Sequence, residues 1–293
     1  MDHQTLPNST KPKLIHFVFA SFSILVWGLS FSVTRSVVQQ VPPLTLACMR
    51  FFIAAGFLWG MTAKYKQRLQ GKDRKWIWTM ALTGITFYFI FENVGLKLTT
   101  ASHAALIIAT IPLGTELVVA RLKRRWPSIT TTCGTFIALV GVGLLVGRDD
   151  GMSSLIGDGL MFGAVGCWIA YTFIVSHLSG RYPNLLITRW IMLCGAVSFI
   201  PGVAVELYFL NIPRLDTAAW AQVAFLSLAC SALAYDTWNR AVPALGPTAV
   251  NTLIYFIPLV GVVSGIIFLG EPLTETLLYG GALIMGGVVL ARI

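Results

Sequence analysis

Charge is scarce in this sequence. Only 11% of its 293 residues are charged, whereas 56% are hydrophobic. A soluble domain carries about 25% charged residues, so this chain has too little polar surface to be one. The same composition excludes disorder, and the bilayer is its natural solvent. The five cysteines, Cys48, Cys133, Cys167, Cys194 and Cys230, all fall in apolar runs without C-x-x-C spacing. Neither a disulfide framework nor a zinc site is indicated, and they read as small buried hydrophobes. G-x-S-x-G, H-E-x-x-H and paired-aspartate motifs are missing too, which argues against an intramembrane protease or hydrolase. No enzyme activity, cofactor or metal is expected.

What is present is a series of long apolar runs. Residues 1–13 form a polar tail holding Lys11 and Lys13. The apolar run after them is too long for a signal-peptide core and lacks a small-residue cleavage site, so it reads as a first membrane span. A spanning helix needs about 20 mostly apolar residues. Breaks at charge and Pro/Gly clusters give ten candidates: 14–38, 44–63, 75–96, 99–120, 127–147, 155–177, 184–209, 217–240, 244–269 and 273–292. The short connections leave no room for a separate soluble domain. The fold class expected is an all-α integral membrane protein of ten transmembrane helices.

Lys and Arg set the orientation. With the N-terminus inside, the cytoplasmic segments take the tail lysines, the cluster from Lys64 to Lys75, the run Arg121, Lys123, Arg124 and Arg125, and then Arg181, Arg240 and Arg292. The outer segments take Arg35, Lys97, Arg148 and Arg214. Both termini are therefore expected in the cytoplasm, which makes the Asn8-Ser9-Thr10 sequon silent. The asymmetry also accounts for the net charge of +9 without nucleic acid, since the basic runs carry no base-stacking platform.

The chain repeats itself. Asn93–Pro112 (NVGLKLTTASHAALIIATIP) and Asn239–Pro258 (NRAVPALGPTAVNTLIYFIP) share one layout, 146 positions apart. At the same offset Gly134 falls on Gly280 and Gly141 on Gly287, and at a slightly smaller one Trp27 aligns with Trp168 and Arg50 with Arg189. Each unit then has five spans: helices 1–5 in residues 14–147 and helices 6–10 in residues 155–293. An odd number makes the second unit enter from the opposite side, so the repeats are inverted. That architecture suits a secondary transporter with a site near the midplane. Pro112 and Pro258 fall mid-membrane, where each removes a backbone donor. A freed carbonyl is tolerated there only against protein or a wet cavity, so both are expected to bend cavity walls and to border the cavity.

The run LGPTAVNTLIYFIPLVGVVSGIIFLGEPLTETLLYGGALIMGGVVL resembles the C-terminal helix pair of the drug/metabolite transporter superfamily, EamA type. Trp27-Gly28 and Trp168 resemble the first-helix marks of its two repeats, and Gly270 to Thr274 its loop between helices nine and ten. The first repeat departs from this pattern, reading Ala120 to Pro127 (ARLKRRWP) where a Leu-Gly-Glu would stand. Glu271 is therefore expected to serve the loop or a cap. The resemblance implies a ten-helix basket, with helices 5 and 10 peripheral and export or exchange of small metabolites.

Ionisable groups inside spans are costly and need a reason. Arg50 and Glu92 fall in the outer halves of helices 2 and 3, Arg189 and Asp236 in the inner halves of helices 7 and 8. Two gating pairs, Arg50–Glu92 and Arg189–Asp236, are one reading; interfacial neutralisation is the other. Glu116, one turn past Pro112, and His103, near the outer mouth, are candidates for proton coupling. Glu116 could instead bridge to the basic loop, and His103 could sit in a wet vestibule. Trp27, Phe31, Tyr88, Trp168, Tyr171, Tyr235, Trp238 and Tyr255, with Asn93, Asn239 and Asn251, are the expected cavity wall, since aromatic walls with sparse polar handles suit an amphipathic small molecule or a cation; lipid-facing belts use Trp and Tyr too, so some of these are expected to be bystanders. Gly134, Ala138, Gly141, Gly261, Gly265, Gly280, Gly281, Gly286 and Gly287 are assigned to close helix packing.

The function expected is alternating-access transport at a bacterial plasma membrane: efflux of an amino acid or related small amine, with possible proton coupling. Exchange of phosphorylated or other anionic metabolites is the alternative within transport, and a channel or membrane enzyme the alternative outside it. The expected partners are a small-molecule substrate and lipid, with the protein as monomer or dimer.

Overall fold

A computed structural model describes residues 10–65, 69–146, 154–175, 178, 181–210, 215–245, 250 and 253–291. Apart from turns and short connections these residues are helical, with no strand among them. The long helices are α1 (Thr10–Val37), α2 (Pro43–Thr62), α3 (Gly71–Leu98), α4 (Ala101–Leu122), α6 (Leu155–Val175), α7 (Asn184–Phe209) and α8 (Thr217–Leu245). Length and apolar character suffice for all seven to cross a membrane. Three shorter apolar helices complete the set: α5 (Ile129–Val146), α9 (Ile254–Leu269) and α10 (Glu275–Leu290).

Helix boundaries follow local chemistry. Pro42 and Pro183 precede α2 and α7 in extended conformations, as a residue that cannot donate a helical hydrogen bond should. Thr100, Asp216 and Thr274 accept the backbone N–H groups of His103, Ala219 and Leu277 and so cap α4, α8 and α10. Gly270 ends α9 at φ 65°, ψ 26°, the left-handed geometry that favours glycine.

Helix α8 runs on to Leu245, beyond the expected end at 240, and passes through Pro243. Proline cannot serve the carbonyl four residues back, that of Asn239. The Asn184 amide donates to that carbonyl at 3.1 Å instead, so the last turn survives. The next described helical residues of the segment expected at 244–269 are Val250 and then α9.

Helix α2 packs along α7 and α5 along α10; α1 lies against α8 and α9, and α3 and α4 lie against α6. The α5–α10 crossing is very close. A Cβ on Gly134 would lie 2.3 Å from the Gly287 carbonyl oxygen, and one on Gly287 would lie 2.4 Å from that of Gly134. Gly261 packs equally tightly on Ala105 of α4, but Gly286 faces open space, which corrects its assignment to a packing surface.

Two helices loosen at matching places. Leu82–Phe87 in α3 and Leu226–Leu233 in α8 are π-helical, 144 positions apart, the same offset as Glu92 and Asp236. Such wide turns redirect side chains and backbone and often sit at functional sites.

Candidate functional site

The two π-segments flank a cavity between α1–α4, α6, α8 and α9; none of its lining residues belongs to α5, α7 or α10. Trp27, Ser30 and Phe31 of α1 form one side, and Tyr88, Phe89 and Glu92 of α3 another. Arg50 of α2, Trp168 of α6 and Tyr235 of α8 close it. Its volume is about 30 Å³, room for one or two water molecules.

Two charges share this small space. Arg50 is 2% exposed and Glu92 4%. Arg50 Nε donates to Ser231 Oγ at 2.6 Å, and its guanidinium lies 4.5 Å from the Phe89 ring centre. No ion pair joins Arg50 to Glu92 among the described residues, and Glu92 Oε2 is buried without a hydrogen-bond partner. The expected gating pair is therefore two groups on one cavity wall, not a closed salt bridge.

The π-segment of α8 holds the site together. Ser231, which the sequence reading missed, bonds back to the Leu226 carbonyl at 2.9 Å while accepting from Arg50. Trp27 Nε1 donates to the neighbouring Cys230 carbonyl at 2.9 Å. Tyr235 Oη reaches across to the Gly84 carbonyl in the π-segment of α3, at 3.0 Å.

The expected aromatic wall is partly present. Trp27, Phe31, Tyr88, Trp168 and Tyr235 line the cavity. Trp238 backs Trp27, with ring centres 5.1 Å apart. Tyr171 and Asn239 lie behind the wall, joined at 3.3 Å, and Asn239 Nδ2 also donates to Thr188 of α7 at 3.1 Å. Asn93 does similar work in the first half, donating to the Pro43 carbonyl at the start of α2. Both asparagines tie helices together, because a buried amide in an apolar bundle takes whatever backbone or hydroxyl partner is near. Tyr255 turns away from the cavity and packs with Leu113, Ala138 and Val288 against α5 and α10. Asn251 lies outside the described residues.

The prolines shape the cavity without touching it, a correction to the expected placement. Ile108, Ile111, Ile254 and Ile257 line it, and they form two pairs at the 146-residue offset. Pro112 and Pro258 are the next residues along and stand in the first turn of the helical segments that follow. Pro258 cannot donate to the Ile254 carbonyl. A 3₁₀ turn over Ile254–Phe256 lets the Ile257 N–H do so, and the tightened turn carries both isoleucines to the wall. Pro258 itself borders an apolar groove between α9 and α10.

The second expected pair does not form. Asp236 pairs with Arg240, one turn on, at 2.7 Å, a spacing that suits helical ion pairs. Arg189 donates to Thr62 Oγ1 at 2.8 Å and stacks over Trp59 at 4.4 Å. Glu116 is half-buried on α4, away from the cavity. His103 is buried, with Nδ1 3.3 Å from Asp158 Oδ2, and Thr99 donates to the other Asp158 oxygen.

Carboxylates also stitch helix starts to distant elements. Glu271 accepts the Ala101 and Ser102 N–H groups at 2.7 and 3.0 Å and caps α4. Glu206, near the end of α7, does the same for Leu44 and Thr45 at the start of α2. At the opposite end of α3, Asp73 accepts from Arg181 at 3.1 Å and from Tyr182 Oη at 2.7 Å.

This architecture has known counterparts. A solved crystal structure superposes with a TM-score of 0.68 at 21% identity, covering 97% of this chain and 98% of the other. An uncharacterized transporter of Archaeoglobus fulgidus is 26% identical over 94% of this chain and 96% of its own length. A probable terminal-alkyne amino-acid exporter of Streptantibioticus cattleyicolor is 27% identical over 84% of this chain and 80% of its own. A probable amino-acid metabolite efflux pump of Salmonella typhimurium is 24% identical over 91% of each. The EamA-like transporter family matches residues 14–147 and 155–293. With nearly its whole length matched, its apolar helices and its central cavity, the chain belongs to the EamA-like transporter family, a family of membrane transporters.

Proposed function

We propose that this protein exports a small zwitterion, an amino acid or a close amine relative, by alternating access across a bacterial inner membrane. The observation that carries this reading is the pair Arg50 and Glu92: opposite charges, both buried, on one aromatic-walled cavity and not bonded to each other. Arg50 presents a guanidinium suited to a carboxylate. Glu92 and the faces of Trp27, Tyr88 and Trp168 suit an ammonium group. A simple anion would meet Glu92 as a like charge, which disfavours phosphorylated metabolites. Relatives named as a probable terminal-alkyne amino-acid exporter and a probable amino-acid metabolite efflux pump support the zwitterion.

The cavity of about 30 Å³ is too small for such a substrate, so binding requires the walls to part. In this reading ten spans form two inverted five-helix repeats with both termini cytoplasmic. The like-with-like packing of α2 on α7 and α5 on α10, the matched π-segments and the paired isoleucines support it. Coupling to protons is assigned to Glu92, because it shares the cavity with the substrate; Glu116 does not.

The test is counterflow in proteoliposomes loaded with neutral amino acids or with organophosphates. Saturable exchange of amino acids is expected, lost in Arg50→Gln and stripped of its pH dependence in Glu92→Gln. Organophosphate exchange that survives Glu92→Gln would overturn the reading, and non-saturating flux would make the protein a channel.

A further inference from the structure

A second site lies outside the transport cavity. Between α2, α3 and α7 runs a groove of about 1020 Å³, far larger than the cavity. Arg189, Arg74 and Tyr65 line it together with Trp59, Leu193 and Val197. No acidic residue lines it among the described residues. Lys64 and Lys75, next in sequence to the lining residues Ala63, Tyr65 and Arg74, are exposed.

Arg189 gives the groove its polar anchor. It is 8% exposed, donates once to Thr62, and its Nε is buried without a partner. The neighbouring Trp190 Nε1 is likewise buried and unpartnered. The guanidinium lies over the rings of Trp59 and Trp190, at 4.4 and 5.2 Å from their centres. A buried cation with a free donor and no carboxylate nearby calls for an anion. The repeat makes the contrast plain: Arg50, its counterpart, has Glu92 across a shared cavity, whereas Arg189 has none.

The remainder of the groove is hydrocarbon. Trp190, Leu193, Cys194 and Val197 follow one face of α7, and Trp59 and Trp78 are 47% and 42% exposed beside them. A phosphate held at one end and an acyl chain along the other fit this division, and basic pockets between membrane helices bind anionic head groups in this way. We infer that this groove is a binding site for an anionic phospholipid, with the head-group phosphate on Arg189 and Arg74 and an acyl chain along α7.

Detergent-solubilised protein titrated with phosphatidylglycerol, phosphatidylcholine or glycerol 3-phosphate tests this, read by native mass spectrometry and by thermal midpoint. Phosphatidylglycerol should stay bound and raise the midpoint, while the other two do neither. Arg74→Gln should weaken phosphatidylglycerol about fivefold, the scale for one surface cation near anionic lipid, and Arg189→Gln about tenfold or more. Arg74 is exposed, so its variant decides the matter if Arg189→Gln does not fold. Equal stabilisation by phosphatidylcholine would overturn the inference, and so would glycerol 3-phosphate matching the lipid. Full phosphatidylglycerol affinity in Arg74→Gln would overturn it too.

Discussion

Trp27 and Trp168, which align with each other in the sequence, meet edge to face on the cavity wall, with ring centres 5.4 Å apart and planes at 83°. They are equivalent in sequence but not in bonding. Trp27 Nε1 donates to the Cys230 carbonyl; Trp168 Nε1 is buried without a partner. Trp27→Phe should therefore cost about 1–3 kcal/mol, the scale for losing a buried hydrogen bond. Trp168→Phe, which breaks none, should cost less. Thermal midpoints of the two variants in the same detergent compare them directly, and equal losses would refute the asymmetry.

Ser231 steadies Arg50 through its Nε. Its removal should loosen the guanidinium without touching the substrate. Ser231→Ala is expected to raise KM for amino-acid counterflow about tenfold, within the range for a hydrogen bond to a charged group, and to leave the protein folded. Arg50→Lys should do at least as much harm, since an ammonium cannot reproduce the planar fork.

Gly134 and Gly287 hold α5 and α10 within reach of each other's backbone. Backbone cannot move aside as a side chain can, so Gly134→Ala should destabilise by about 1–3 kcal/mol or more. Gly286→Ala, into open space, should change stability by less than about 0.5 kcal/mol. Fluorescence-detected size exclusion after a heating series distinguishes the two.

Glu271 binds two N–H groups at the first turn of α4. Glu271→Ala leaves both without that acceptor and should cost about 1–2 kcal/mol, the upper range for a lost helix cap. Glu271→Gln keeps an acceptor and should cost less. A ranking of midpoints other than wild type, Gln, Ala would count against a capping role.

Some of this was legible in the sequence and some was not, for reasons visible at single residues. The repeat offset that aligns Pro112 with Pro258 also aligns Ile108 with Ile254 and Ile111 with Ile257, which line the cavity. That offset marks the isoleucines as clearly as the prolines, but an apolar side chain in an apolar helix carries no sign of the cavity it faces. Tyr255 has the residue type of a wall residue but packs away from the cavity, because it sits inside the 3₁₀ turn that carries Ile254 and Ile257 to the wall. Asp236 looked like a partner for Arg189 at equal depth, yet Arg240 is one helical turn away, and a local pair forms before a distant one. The Asp73–Arg181–Tyr182 contact joins the start of α3 to the connection before α7, whose proximity no spacing announces.

The sequence by itself determined that this chain suits a membrane, that it is a series of apolar runs, and that its two halves resemble each other. Scarcity of charge, run length and spacing are one-dimensional properties, and they decide which solvent a chain can tolerate. Tertiary structure decided which face of each helix meets the cavity, which meets another helix and which meets lipid. In water an amphipathic stripe would announce the buried face. In a bilayer lipid and protein interior are equally apolar, so Trp168 on the cavity wall and Trp59 in the outer groove read alike until the helices are packed.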